Sequence, residues 1–315
     1  MRGSNHLFLL CTDIRASEPS GAGGAVDYTL WLPGDDRSTL VQIRQPSDAR
    51  DGFTLAVEWL KTSSRNFVPA LYFQIEGAKH TLLFSHGNGT DIGQMFDFFV
   101  HLATTLQVSI FAYEYTGYGA SSGPMPSERA TIEDAEAAWD CLTEKYRIPP
   151  YRIVLYGQSV GSGPSCSLAG RDEFDAAGLV LHSGMMSGLR VVMPVTVTFP
   201  VDPYPNIDLI TQASCMTAVI HGVEDDVVPF HHGAQLHAAL PETSKYPPLW
   251  IKRGGHNNIV GFRMYYEYLT QYLISLDPGP DPDPGPGPPP DIRSTKSAGV
   301  TTAGTGDVGA VVVAP

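Results

Sequence analysis

Three residue types at three places in this sequence could together carry out acyl transfer. They are a serine in G-Q-S-V-G at 157–161, carboxylates in V-E-D-D at 223–226, and a histidine in R-G-G-H-N-N at 253–258. A serine hydroxyl is a weak nucleophile and needs an adjacent base to take its proton. Ahead of Ser159 runs the apolar stretch R-I-V-L-Y, and behind it come the small residues G-S-G-P-S. That is the strand–turn–helix context in which G-x-S-x-G lifts a serine hydroxyl above the edge of a sheet. The helix starting near Val160 would add its positive end to a developing oxyanion. Because the chain holds 32 Gly, the five-residue pattern by itself is weak, and the order of the other groups decides.

The sequence holds ten histidines. In a serine-first arrangement on an α/β sheet, the acid follows the nucleophile and the base follows the last strand. Only His256 lies beyond P-P-L-W-I-K, in a polar turn ahead of the final helical segment. His182 and His221 end apolar runs and read as packing or loop-anchoring residues, whereas His231 and His232 open a helix and are expected to face solvent. The acid is expected after M-T-A-V-I-H-G; Asp225 is the candidate, with Glu224 and Asp226 left open beside it. Its task would be to set the tautomer of the imidazole and stabilise the imidazolium. An oxyanion hole would use the backbone N–H of Val160, directly after the nucleophile, and that of Asn88 in the earlier loop S-H-G-N-G. His86 and Gly87 shape that loop without a direct chemical role.

Other chemistries fit less well. G-N-G-T-D-I-G at 87–93 lacks the G-x-G-x-x-G and downstream acid of a dinucleotide site and the Lys-Ser/Thr of a P-loop. His231 and His232 are adjacent, not four apart, and no cluster has zinc-ligand spacing. No cofactor and no metal are expected.

The elements that must position these groups alternate in period. F-T-L-A-V-E-W-L-K and N-F-V-P-A-L-Y-F-Q-I read as strands, and H-T-L-L-F-S as a third ending at the glycine loop. Ile92, Met95, Phe96, Phe99, Leu102 and Ala103 recur at helical spacing. V-S-I-F-A-Y-E-Y reads as a buried strand, followed by a long glycine-rich loop. A helix is expected from Ser127 as cap, its apolar face running through Ile132, Ala135, Ala138, Trp139 and Leu142 until R-I-P-P stops it. Strands at R-I-V-L-Y-G, A-A-G-L-V-L-H-S, S-C-M-T-A-V-I-H-G and P-P-L-W-I-K-R then alternate with helical segments, the last closing near Leu276. Such alternation implies an α/β fold: a mainly parallel sheet with helices on both faces and an antiparallel edge from the first strands.

Residues 1–50 are expected to be a flexible leader, 51–276 the folded domain, and 277–315 a disordered tail. The tail opens with P-G-P-D-P-D-P-G-P-G-P-P-P, which reads as a semi-rigid spacer. A net charge of -13 argues against a nucleic-acid partner and against electrostatic docking on an acidic membrane. Cys11, Cys141, Cys166 and Cys215 form no C-x-x-C pair, and the last three sit among apolar neighbours. Buried free thiols fit a reducing, cytoplasmic setting. There is no run of 18 apolar residues, and the apolar stretch near Leu7 is too short for a secretory signal.

Taken together, L-L-F-S-H-G-N-G-T-D-I-G-Q-M, I-F-A-Y-E-Y-T-G-Y-G-A-S-S-G, Y-G-Q-S-V-G-S-G-P-S, L-H-S-G-M-M-S-G-L-R, P-N-I-D-L-I, I-H-G-V-E-D-D-V-V and P-L-W-I-K-R-G-G-H-N-N resemble the alpha/beta-hydrolase-domain-containing protein 17 family. The resemblance covers residues 66 to 276 and implies an alpha/beta-hydrolase fold. It further implies a serine hydrolase that removes palmitate from protein cysteines, an S-acylated protein or lipid-like acyl substrate, and peripheral membrane contact. Carried over, the nucleophile falls on Ser159, the acid on Asp225 and the base on His256. The family's N-terminal cysteine cluster is reduced here to Cys11, and Gly184 stands where the family usually has proline. One lipid chain gives only marginal membrane binding. Residues 184–205 are expected to form a small lid over the pocket. The triad alone leaves open a general carboxylesterase, a lipase, a peptidase or a non-catalytic binding protein on the same scaffold.

Overall fold

The computed structural model describes residues 52–193, 195 and 197–276, together with the backbone of two strands at 27–31 and 38–42. Cys11, the rest of the expected leader and the proline-rich tail lie outside the described residues. Strands β1 (Asp27–Trp31) and β2 (Ser38–Gln42) pair antiparallel in a sheet of their own, a hairpin within a stretch to which the sequence reading assigned no element.

The main sheet has eight strands. β3 (Phe53–Lys61) and β4 (Phe67–Ile75) form an antiparallel hairpin paired along its whole length. Next come β5 (Thr81–Ser85), helix α1 (Phe96–Leu106), β6 (Ser109–Tyr113) and helix α2 (Glu128–Asp140). After them follow β7 (Ile153–Gln158), α3 (Ser162–Ala169), β8 (Gly178–His182), α4 (Gly188–Val192) and α5 (Asn206–Leu209). β9 (Met216–Gly222), α6 (His231–Ala239), β10 (Leu249–Ile251) and α7 (Arg263–Ser275) complete the domain. The strand order is β10-β9-β8-β7-β5-β6-β4-β3; β4 pairs antiparallel with β6, and β6 through β10 run parallel.

Both faces of the parallel strands are covered, and their side chains divide by alternation. Leu83, Phe111, Leu155, Leu179 and Val219 pack with Ala135, Ala138 and Trp139 of α2 and Leu168 of α3. Their strand neighbours Leu82, Ile110, Val154, Val180 and Ala218 pack on the other face with Phe99 and Leu102 of α1 and Tyr265 and Leu269 of α7. β5, β6 and β8 are therefore buried at every position, as parallel strands between two helix layers must be. Each fully buried Leu or Phe contributes roughly 1.5–3 kcal/mol, which pins register, since a one-residue slip would exchange the two faces.

Helix starts follow the local chemistry. The Ser127 hydroxyl accepts from the Ala130 N–H at 3.2 Å and caps α2, which ends in a wider turn where the Tyr146 N–H reaches the Cys141 carbonyl. Ile132 is only half-buried, whereas Glu133 and Asp134 lie on the buried side. Both oxygens of Asp134 accept from Thr116, from its N–H and its hydroxyl, each at 2.7 Å. Burial pushes the Asp134 carboxyl up to about 7 despite these two bonds. Cys141, Cys166 and Cys215 are free thiols.

Candidate active site

Ser159 sits where β7 passes into α3, with φ of 53°, a left-handed conformation that costs a non-glycine residue about 1–3 kcal/mol. The turn is possible because of its glycines. A Cβ on Gly161 would lie 2.1 Å from the Ser85 carbonyl oxygen, and one on Gly157 would lie 2.7 Å from Cα of Ser162. Below the turn, the Ser162 hydroxyl donates to the Ser159 carbonyl at 2.6 Å and accepts from the Asn206 amide at 3.1 Å.

The three sequence candidates meet here from three separate loops. His256 Nε2 lies 3.0 Å from Ser159 Oγ, and His256 Nδ1 lies 2.9 Å from Asp225 Oδ2. Asp225 Oδ1 accepts from the N–H groups of Val227 at 3.0 Å and Val228 at 2.8 Å. Burial pushes the Asp225 carboxyl up, but the hydrogen bond and charge of His256 and the two backbone donors outweigh it and hold the group below its ordinary value. Asp225 is buried, whereas Glu224 and Asp226 are exposed, which separates the three carboxylates that the sequence left open.

His221 anchors this acid loop. Its Nε2 donates to the Val228 carbonyl at 2.8 Å and lies 3.4 Å from Asp225 Oδ2. His182 is buried with Nδ1 at 2.8 Å from the Tyr156 hydroxyl, and burial lowers it to about 3. The expectation that His231 and His232 both face solvent holds only for His231. His232 is fully buried on the inner face of α6, where its Nδ1 accepts from the Met186 N–H at 3.1 Å. Burial, with the charge of His231, lowers His232 to about 4. The reason for the correction is positional: the inner face of α6 packs on the loop after β8, and that loop has a backbone donor to satisfy.

On the other side of Ser159 lies the S-H-G-N-G loop. A Cβ on Gly87 would stand 3.6 Å from the Ser159 Cβ, so the loop runs directly beside the nucleophile. Asn88 follows, its side-chain carbonyl accepting from the Tyr118 hydroxyl at 2.6 Å. Sequence reasoning passed over Glu114, which is 1% exposed and lies 2.8 Å from His86 Nε2. The signal was available, since Glu114 is the sole charged residue in the buried-strand run V-S-I-F-A-Y-E-Y.

The expected lid contains α4 and a loop pinned at its base. Arg190 Nη1 donates to Asp202 Oδ2 and to Ser187 Oγ, both at 3.2 Å, and the Leu189 N–H donates to Asp202 Oδ1 at 2.9 Å. Met185, Tyr204 and Val228 form a small apolar cluster against which Val160, the residue after Ser159, and Val191 pack. A separate open groove of about 380 Å³ on α2 is lined by Ser63, Glu128, Arg129, Ile132, Glu133 and Glu136. It shares no residue with the triad, and the geometry at Ser159 outweighs cavity size as a guide to chemistry.

An eight-stranded, mostly parallel sheet with an antiparallel edge, carrying a serine on the turn after β7, defines an alpha/beta hydrolase. A family described as "Serine aminopeptidase, S33" matches residues 76–201. The chain is 41% identical over 215 residues to alpha/beta hydrolase domain-containing protein 17C of Xenopus laevis, covering 68% of each. It is 42% identical over 217 residues to human protein 17B, covering 68% of this chain and 73% of that one. Against the mouse 17C protein it is 43% identical over 197 residues, 60% of that protein's length. The chain belongs to the alpha/beta hydrolase domain-containing protein 17 family. Solved structures agree on the fold: an esterase of Pyrococcus furiosus superposes with a TM-score of 0.59 at 15% identity, over 72% of this chain and 94% of that one. A puromycin-hydrolyzing peptidase of Mycobacterium tuberculosis superposes with 0.59 at 16% identity, over 77% of this chain and 42% of that one. Among the described residues no helix is long and apolar enough to cross a membrane.

Proposed function

We propose that this hydrolase works through Ser159 and releases fatty acyl groups from thioesters, with S-palmitoylated protein cysteines as its substrate class. The observation that carries the reading is the unbroken chain Ser159 Oγ, His256, Asp225, with links of 3.0 and 2.9 Å. His256 takes the Ser159 proton as the hydroxyl attacks the acyl carbonyl, and the N–H groups of Val160 and Asn88 receive the oxyanion. The thiol leaves, and His256 then activates water to hydrolyse the acyl-serine. A thiol leaving group has a pKa near 8.5 and departs with little help, whereas an amide nitrogen must be protonated first. The apolar cluster that includes Val160, next to Ser159 in the chain, is consistent with an acyl-chain substrate. Family membership supports the protein-thioester substrate, and the same supports peripheral membrane contact in a cytoplasmic setting.

A fluorophosphonate probe should label the wild-type protein and leave Ser159→Ala unlabelled; equal labelling of both would remove Ser159 as nucleophile. Palmitoyl-cysteine peptide and p-nitrophenyl butyrate, compared by kcat/KM, then separate a long-chain thioesterase from a general esterase. Preference for the short ester would overturn the thioester assignment.

A further inference from the structure

His86 stands in the oxyanion loop with an acceptor at each ring nitrogen. Nδ1 lies 2.8 Å from the Gly87 carbonyl oxygen, and Nε2 lies 2.8 Å from Glu114 Oε1. A carbonyl oxygen can only accept, so Nδ1 must carry a proton. Glu114 also accepts backbone N–H bonds from Tyr115 at Oε1 and from Ile92 at Oε2, both at 3.1 Å, as an ionised carboxylate does. With Glu114 as a carboxylate Nε2 donates as well, which makes the ring an imidazolium inside a pair that is 0% and 1% exposed.

The surroundings suit a cation. The Tyr115 ring stacks on the imidazole at 4.2 Å, and the Tyr118 ring meets it edge-on at 5.9 Å. The Tyr115 hydroxyl donates to the His86 carbonyl at 2.7 Å. Burial works against the charge. Glu114, from the end of β6, works for it, and so do the Gly87 carbonyl and Asp91, from the loop ahead of α1; the net effect is to raise His86 above its ordinary value.

The Gly87 carbonyl and the Asn88 N–H belong to one peptide unit. A charged donor on the oxygen fixes the plane of that unit and polarises its N–H. We propose that the buried His86–Glu114 pair aims and polarises the Gly87–Asn88 peptide as an oxyanion donor beside Ser159, making both side chains positioning residues for acyl transfer. The inference rests on Ser159 being the nucleophile. It extends that reading by naming what holds the oxyanion donor in place while Ser159 reacts.

Glu114→Gln tests it, because the glutamine carbonyl can keep the bonds of Oε1 to His86 and to the Tyr115 N–H while removing the charge that holds the imidazolium, at the cost of the acceptor for the Ile92 N–H. An oxyanion donor is worth about 10²–10³ in kcat, and weakening one should cost about 10–100-fold. KM for a p-nitrophenyl octanoate should stay within about twofold, since the donor acts in the transition state. Affinity for a trifluoromethyl ketone, whose adduct carries the oxyanion, should fall by the same factor as kcat/KM, while affinity for octanoate should hold. The alkaline limb of kcat should move to lower pH. Unchanged kcat and ketone affinity in the variant, or equal loss of octanoate binding, would overturn the proposal. Wild-type protein that neither labels nor hydrolyses would instead defeat the Ser159 reading itself. Should the variant fail to fold, ¹⁵N-histidine spectra of the wild-type protein decide. Both His86 ring nitrogens are expected to be protonated at about pH 7.5, and a neutral ring overturns the inference.

Discussion

Two carboxylate–imidazole pairs flank Ser159 at almost the same internal distance, 2.8 Å for Glu114–His86 and 2.9 Å for Asp225–His256. What separates them is the second ring nitrogen. On His86 it faces the Gly87 carbonyl, which only accepts; on His256 it faces the Ser159 hydroxyl, which can donate or accept. The first ring, as proposed, holds a proton on each nitrogen, while the second faces a hydroxyl with which it can exchange one. Exposure follows the same division, 0% for His86 against 9% for His256. A histidine beside a buried acid is therefore not by itself a catalytic base. The partner of the other nitrogen decides.

The sharpest way to break this comparison is at the hydroxyl. Ser159→Ala should cost about 10⁶ in kcat, measured by release of p-nitrophenol, because removing the nucleophile forfeits the whole relay. Asp225→Asn comes next, with an expected loss of about 10⁴, since the amide stabilises the wrong tautomer of His256. The exposed neighbours give the control: Asp226→Asn and Glu224→Gln should stay within about threefold of wild type, and a comparable loss in either would move the acid off Asp225.

A further buried pair, Arg190–Asp202 at 3.2 Å, touches no member of the triad, so its loss should show in stability. Asp202→Asn strands the guanidinium, and the midpoint of chemical unfolding should report a cost of about 3–5 kcal/mol. A change confined to kcat, with the unfolding midpoint intact, would contradict this.

The smallest effect concerns a histidine with no acid partner. Burial lowers His182 to about 3, against about 6.5 when unfolded. A depressed folded value means stability is full above the unfolded value and declines as the pH falls below it. At pH 5 the decline should be about 2 kcal/mol from this group, read from urea unfolding at pH 7 and 5. His182→Asn, which retains a polar atom toward the Tyr156 hydroxyl, should flatten that slope. Asp225 acts in a separate window: its value is lowered, so its contribution is lost only further into acid, as the pH falls from about 4 through its folded value.

Much of the fold could be read along the chain. Runs such as T-L-L-F-S and S-I-F-A-Y are too apolar to be anything but strands covered on both sides, and Ser127 after Pro126 marks the start of α2. The helical spacing that begins at Ile92 becomes helix in the structure only from Phe96, because Ile92 is held instead by its N–H on Glu114. What local pattern could not supply was partnership. β4 pairs with β6 and not with the β5 that follows it, and β5 lies at the centre of the sheet. Glu114 was passed over, and His232 wrongly expected at the surface, for this reason. A polar side chain is buried or exposed according to which donors and acceptors it meets, and those come from distant segments.

The sequence by itself determined the class of sheet, the order serine–acid–histidine and the glycines without which Ser159 could not occupy its turn. It determined these because apolar periodicity and glycine's lack of a Cβ act within a few residues of chain. Only the tertiary structure decided which of three adjacent carboxylates meets His256, and which of the acid-paired histidines faces the Ser159 hydroxyl. Both depend on contacts of a few ångströms between residues 28 to 97 positions apart, which no local pattern encodes.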